Sequence, residues 1–209
     1  MLSKRSETVL RTTILRRGGR VSISLIWHIL FYGWTAGEVL LVILTRTRKG
    51  GGKLQDRGSM AILWITIVSA MFASGYVDDR FPEFKFPSSH WLVYTSLALM
   101  VAGLIIRWTA ILSLGKAFSV NVAIRETQTL YQKGLYRLVR HPSYSGMVVC
   151  FVAIAMIQRN WLGSAIVILP TTAALLYRIH VEEAALNEAF GAQYASYSRT
   201  TKRLIPGIY

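Results

Sequence analysis

Gly134-Leu135-Tyr136-Arg137-Leu138-Val139-Arg140-His141-Pro142-Ser143-Tyr144-Ser145-Gly146 runs directly into two apolar segments, residues 147–157 and 161–177, separated only by Gln158-Arg159-Asn160. Two such runs joined by three polar residues predict a tight antiparallel helical hairpin, and one this apolar belongs in a bilayer. Pro142 biases His141 away from helical backbone angles and is itself suited to a first helical turn, so a new helix is expected to begin there. Ser143 and Tyr144 fall in that turn, whose free N–H groups and positive dipole end attract a carboxylate or phosphate. Arg137, Arg140 and His141 add donors beside it. Gly146 leaves room for another helix or a ligand to approach the backbone. A basic interfacial turn facing lipid phosphate accounts for the same residues equally well.

Outward from this stretch, composition fixes the class. Of 209 residues, 53% are hydrophobic and only 16% charged, the balance of a polytopic membrane protein. The net charge of +14 raises the question of nucleic acid. Its distribution answers it, because Lys and Arg lie between or beside apolar runs, where anionic lipids rather than nucleic acid are the expected partners. Cys150, the sole cysteine, excludes an intrachain disulfide and reads as a small packed side chain. The histidines at 28, 90, 141 and 180 show no ligand-like spacing, so no metal site is expected.

Residues 1–20 form a basic segment suited to the membrane surface, and no cleaved signal peptide is expected. Runs at 21–45, 60–77 and 91–114 are each long enough to span, and with the hairpin arms they give about five transmembrane helices. The basic loop 46–58 contains Lys49-Gly50-Gly51-Gly52-Lys53, but no Ser or Thr follows the lysine and no strand precedes it, so a phosphate loop is excluded. Loop 78–89 is the least basic and is expected opposite the cytoplasm. Residues 115–133, mixed and polar, lead into the opening stretch and are read as functional. Glu38, inside the first span, needs a partner. The favoured reading is an interhelical hydrogen bond unconnected to residues 134–146. Arg107 either snorkels to headgroups or points inward to a polar site.

Pro170 is expected to kink the second hairpin arm. Beyond it, Arg178 and Glu182 stand at i and i+4, on one face of a helix that arrives level with the His141 turn. Taken alone, the pair reads as a surface ion pair. Leu186, Phe190, Tyr194 and Tyr197 recur at helical spacing, with Gly191 a possible break, which predicts a C-terminal interfacial helix. The expected fold is therefore an all-α polytopic membrane protein. It divides into the segment 1–20, a three-span region 21–114, and a polar-site region 115–209 with two spans and the final helix.

Several motifs then occur in a fixed order. They are Arg107 through Leu114 with Gly115, Gln128-Thr129-Leu130-Tyr131, Gly134-Leu135-Tyr136, and Arg140-His141-Pro142-Ser143-Tyr144 with Gly146. Arg178 with Glu182-Glu183 and Leu186, Phe190-Gly191, Tyr194, Tyr197 and Arg203-Leu204-Ile205-Pro206 follow. In these the chain resembles the isoprenylcysteine carboxyl methyltransferase family, in its short five-span microbial form. The resemblance covers roughly the C-terminal half. It implies a membrane-embedded methyltransferase that takes S-adenosyl-L-methionine from the cytoplasm into a pocket between the last helices. The implied methyl acceptor is the carboxylate of an isoprenylcysteine or a similar lipid-linked group entering from the bilayer. By the same resemblance Gln128, Thr129, Leu130, Tyr131, Tyr136, His141, Pro142, Ser143 and Tyr144 line the cofactor, with Asn121 upstream. Glu182 would hold it, and Arg178 would be the catalytic residue facing the acceptor. Gln128 stands where the family has His, and Tyr131 where it has Val.

Other readings stay open. Membrane sterol or steroid reductases that use NADPH share the Arg-His-Pro-x-Tyr-like segment, but Ser143 stands where they have Asn. A phospholipid N-methyltransferase and a non-catalytic membrane scaffold fit the same spans. Orientation is contested by charge: five spans ending in the cytoplasm put the first residues outside, while their basic character favours the inside.

Overall fold

The computed structural model describes residues 22–45, 53–54, 58–87, 89–115, 123–124 and 129–209. The expectations for residues 1–20, for most of the glycine-rich loop, and for Asn121 and Gln128 fall outside the described residues. Among the described residues six helices follow in order: α1 (Ile23–Thr45), α2 (Ser59–Arg80), α3 (His90–Leu114), α4 (Pro142–Gln158), α5 (Trp161–Phe190) and α6 (Ala192–Thr200). The two-residue strands β1 (Lys53–Leu54) and β2 (Ala123–Ile124) pair antiparallel, too little β structure to alter an all-α class. Of these helices α1, α2, α3 and α5 are long and apolar enough to cross a bilayer. α4, with 17 residues, is about 25 Å long at 1.5 Å per residue, the lower limit for a span. The architecture is the polytopic helical one expected.

The chain divides into two units, Met1–Ala36 and Gly37–Tyr209. In the first, two polar side chains of α1 bond to their own helix: His28 Nδ1 lies 2.6 Å from the Ser24 carbonyl, and the Thr35 hydroxyl donates to Phe31 O at 2.9 Å. Lipid offers no such partners, so the helix supplies them.

In the second unit α3 packs along α4, α2 along α5, and α4 against α5. Small residues set these approaches, as is usual where lipid gives helices no hydrophobic drive to associate. At the α2–α5 crossing, a Cβ on Gly163 would come within 2.9 Å of Ser74 Oγ, and that buried hydroxyl lies in donor range of Gln158 Oε1 (2.5 Å) and Gly163 O (3.1 Å). Asn160 closes the predicted hairpin. It caps α5 by accepting from Gly163 N at 3.0 Å and donates to Phe81 O at 3.2 Å, while Arg159 takes the left-handed conformation at φ 56°.

Two expectations change at the edges. α2 runs on through Asp78-Asp79-Arg80 instead of ending at 77, and Asp78 is bridged by Lys85 at 3.2 Å before Pro82 stops the helix. α3 starts at His90, where Ser89 Oγ accepts from Leu92 N. α5 is one 30-residue helix with Pro170 inside it, and it carries Arg178 and Glu182 beyond the apolar run to Phe190, as their i, i+4 spacing leads one to expect. The Thr171 hydroxyl donates to Val167 O beside the position where proline has no N–H to give. Gly191, at φ 48°, ends α5 as the sequence suggests, and Tyr194 and Tyr197 of α6 are buried scaffold.

Candidate active site

The polar stretch folds as the proline dictates. Residues Gly134–Arg137 make a 3-10 turn, His141 sits at the N-cap of α4 with φ −125°, and Pro142 occupies the first helical turn. The amides of Tyr144 and Ser145 both donate to the His141 carbonyl at 3.0 Å. The segment just before α4 then lies beside the segment after α6. Val139 bridges Lys202 in parallel, Arg140 N donates to Lys202 O at 2.7 Å, and His141 N donates to Arg203 O at 3.0 Å. Ser145 Oγ adds a bond to Leu204 O at 2.6 Å.

α5 brings two adjacent carboxylates to this turn, and about 100° of helical rotation separates their jobs. Glu183 is buried and ties segments together. Arg140 donates to its Oε1 from Nε (2.9 Å) and Nη2 (2.7 Å), Arg203 holds Oε2 from Nε (3.0 Å) and Nη2 (2.8 Å), and His141 Nε2 lies 3.3 Å away. Arg140 also donates to the Ser198 and Thr201 carbonyls. The hydrogen bond to Glu183 raises Arg203 further above its ordinary basicity, keeping it charged.

Glu182 takes the other role. Its side chain is 31% exposed beside a His141 that is 3% exposed, so it is the open acid of a closed cluster. The Tyr144 hydroxyl donates to Glu182 Oε2 at 2.7 Å, and the Tyr144 ring stacks on His141 at 5.7 Å. Arg178, one turn earlier on α5 and 2% exposed, donates from Nε to the Tyr144 hydroxyl at 3.4 Å and from Nη1 to Ser59 Oγ at 2.7 Å. The i, i+4 spacing does place Arg178 and Glu182 on one face. The surface-pair reading fails for Arg178, which is buried with Tyr144 and Ser59 against it.

The largest departure concerns Glu38. It does form an interhelical bond, as its place in a span demands, but the bond leads to the site. Arg107 donates to Glu38 from Nε (2.5 Å) and Nη2 (2.6 Å), and its remaining terminal nitrogen donates to the Ser143 hydroxyl in the first turn of α4. Arg107 therefore points inward, at 5% exposure, and does not snorkel. The Tyr136 hydroxyl reaches Ala110 O on α3 at 3.3 Å, and Tyr197 OH donates to Tyr136 O at 2.5 Å. Burial pushes the Tyr136 phenol up, so it stays neutral.

Of the candidate residues, Tyr136, His141, Pro142, Ser143, Tyr144, Arg178 and Glu182 converge here. Tyr131 meets Tyr136 edge to face at 5.5 Å; Thr129 is exposed and Leu130 half-buried on the approach. Sequence reasoning assigns no role to Glu183 or Ser59, and for Arg107 it offers the inward alternative without its partners Glu38 and Ser143. The doubled Glu182-Glu183 is the available signal for the first. Nothing local marks a serine at the start of α2.

Comparison with known proteins matches the chain to a family. Residues 96–188 match the model of the isoprenylcysteine carboxyl methyltransferase (ICMT) family. A rice protein (Oryza sativa subsp. indica), named a probable protein-S-isoprenylcysteine O-methyltransferase, is 30% identical over 131 residues, 61% of this chain and 67% of its own length. Protein-S-isoprenylcysteine O-methyltransferase A of Arabidopsis thaliana is 32% identical over 131 residues, 61% of this chain and 65% of its own. The solved structure of the eukaryotic intramembrane Ras methyltransferase ICMT superposes with a TM-score of 0.55 at 30% identity, covering 69% of this chain. The chain spans about half (52%) of that structure's length. With its apolar helices and its polar cluster under α5, this integral membrane chain belongs to the isoprenylcysteine carboxyl methyltransferase family.

Proposed function

We propose that the chain is an S-adenosyl-L-methionine-dependent methyltransferase that methylates the carboxylate of an isoprenylcysteine or a similar lipid-linked acceptor. The observation that carries this reading is the chain of contacts Arg178–Tyr144–Glu182 at the start of α4, which sets a buried guanidinium next to a partly open carboxylate.

The residues fit such a cofactor. Its ammonium and ribose hydroxyls are donors, and Glu182 is an acceptor with one oxygen fixed by Tyr144 and its side chain partly exposed. Tyr131 and Tyr136 offer aromatic surface for a purine. Tyr136, His141, Pro142, Tyr144 and Glu182 would hold the cofactor, with Thr129, Leu130 and Tyr131 at its edge. Asn121 and Gln128 complete the proposed lining from outside the described residues. Ser143 contributes through its backbone and its bond to Arg107, which takes up its hydroxyl.

When bound, the cofactor would supply an electrophilic methyl on a sulfonium, whose S–C bond would break as a C–O bond to the carboxylate forms, leaving a neutral thioether with no proton to move. An ionised carboxylate needs no general base. It needs alignment and removal from water. Arg178 orients the acceptor carboxylate, since a planar guanidinium presents paired N–H donors, and Ser59 and Tyr144 fix the plane of that fork. Burial of Arg178 keeps water from competing for it. We place the cofactor entrance on the cytoplasmic side, because the basic residues flanking the turn favour that face. The acceptor's lipid enters sideways from the bilayer.

The test is methyl transfer from labelled cofactor to a farnesylated cysteine analogue by the purified chain, beside an analogue lacking the lipid and a phospholipid amine. Transfer to the farnesylated carboxylate alone supports the reading. Transfer only to the amine, or to none, sinks it.

A further inference from the structure

Two segments meet beside the site and share an unusual charge pattern. Residues 129–141 hold Lys133, Arg137 and Arg140; residues 191–209 hold Arg199, Lys202 and Arg203; neither contains Asp or Glu. The two lie side by side through the Val139–Lys202 bridge and the Tyr197–Tyr136 bond. Glu183, on α5, occupies Arg140 and Arg203 and so fixes the two segments to each other. Lys133, Arg137, Arg199 and Lys202 are all exposed. Large apolar side chains stand exposed among them: Leu138 at 56%, Ile205 at 50% and Ile208 at 74%.

This mixture has a physical consequence. Cations alone would suit any polyanion, and apolar side chains alone would suit lipid tails. Cations and apolar side chains exposed together on adjoining segments match the boundary between headgroup and acyl chain, where each finds its own environment. The position agrees. The surface lies at the start of α4 and beside the last turns of α5, a helix about 45 Å long at 1.5 Å per residue and so longer than the roughly 30 Å hydrocarbon core.

We infer that the surface formed by residues 133–139 and 199–208 is a docking site for anionic phospholipid headgroups, with Leu138, Ile205 and Ile208 entering the acyl boundary. It holds the rim of the candidate site against the leaflet, and it stands independently of the methyl-transfer reading. Each cation removed weakens the attraction by roughly fivefold, and added salt screens it.

The experiment is a thermal unfolding titration of the detergent-purified full chain with phosphatidylglycerol, using phosphatidylcholine, inorganic phosphate and a polyglutamate peptide in parallel. Phosphatidylglycerol is expected to raise Tm in a saturable, salt-sensitive way. In K133Q/R137Q/K202Q the half-saturating lipid concentration should rise by roughly a hundredfold. The charge-preserving K133R/R137K/K202R should titrate like wild type, which separates lost charge from lost folding. Leu138→Ser should weaken the response to phosphatidylglycerol while leaving its salt dependence. An equal response in the triple Gln variant, or none in wild type, overturns the proposal. An equal gain from phosphate or from the peptide overturns it as well, assigning the surface to free phosphate or to an acidic protein segment.

Discussion

Gly103 and Gly146 face each other across α3 and α4 so closely that a Cβ on Gly146 would lie 2.7 Å from the Gly103 carbonyl oxygen, and one on Gly103 would lie 2.8 Å from that of Gly146. The same Cβ on Gly146 would be 2.7 Å from Arg107 N, so the obstruction is backbone and has no rotamer to escape into. This contact puts Arg107 within reach of the first turn of α4. Gly146→Ala should therefore cost about 1–3 kcal/mol, the usual penalty of overpacking, seen as a lower Tm in detergent. Gly75, where an added Cβ would meet nothing within 4 Å, is the control, and an equal fall in Gly75→Ala would remove the steric argument.

The Glu38–Arg107 pair makes a second prediction, because both partners are buried and each neutralises the other. Arg107→Met strands a buried carboxylate and should cost about 3–5 kcal/mol, whereas the double variant E38L/R107M should recover most of the loss. Unfolding midpoints of the single and double variants decide it. Equal falls would mean that the pair does not act as a unit.

That pair also marks the limit of what the sequence carries. Four helices of spanning length and a shorter apolar one, the hairpin at 158–160, the start of α4 at Pro142 and the break at Gly191 are legible, because apolar run length, proline and glycine are local signals. The convergence of Arg178, Glu182 and the His141 turn is legible from helical spacing and hairpin geometry. Glu38 is separated from its role because its partner on α3 is 69 residues away and reaches the site only through Ser143 of α4, a tertiary arrangement that no local pattern encodes. Ser59 is hidden for the same reason, a helix-start serine meeting Arg178 across 119 residues. The extension of α2 through Asp78-Asp79-Arg80 escapes a reading of hydropathy because three charges in a row signal the membrane boundary, and a helix does not end where the hydrocarbon does.

Cofactor affinity should follow the Tyr144–Glu182 contact. Glu182→Ala is expected to abolish calorimetric binding of S-adenosylhomocysteine. Tyr144→Phe, which removes one hydrogen bond to a charged acceptor, should weaken binding by about 10-fold to 100-fold. Unchanged affinity in both variants would place the cofactor elsewhere.

Arg178 should separate binding from turnover. Arg178→Lys keeps the charge and loses the planar fork that Ser59 and Tyr144 hold in place. Turnover is expected to drop by at least about tenfold while S-adenosylhomocysteine binds as before, since orientation of the acceptor is worth several kcal/mol. A parallel loss of cofactor affinity would reassign Arg178 to cofactor binding.

The last prediction concerns alkaline pH. Burial pushes the Tyr197 phenol up to about 12, with Arg140 pulling in the opposite direction, and the hydroxyl donates to the Tyr136 carbonyl at 2.5 Å. A raised pKa means that the folded chain keeps a proton which the unfolded chain releases near its ordinary value of about 10. The stabilisation is therefore complete below pH 10 and is lost as pH rises from 10 toward 12. Tyr136, also pushed up by burial, adds a contribution of the same sign. Wild type should show a Tm that falls more steeply above pH 10 than that of Tyr197→Phe, which has no proton to lose at that position. Because the Tyr197–Tyr136 bond joins α6 to the turn before α4, the steeper fall should come with faster amide exchange in residues 134–141. If the two proteins keep parallel Tm profiles from about pH 8 to about pH 11, the buried phenol is not linked to folding.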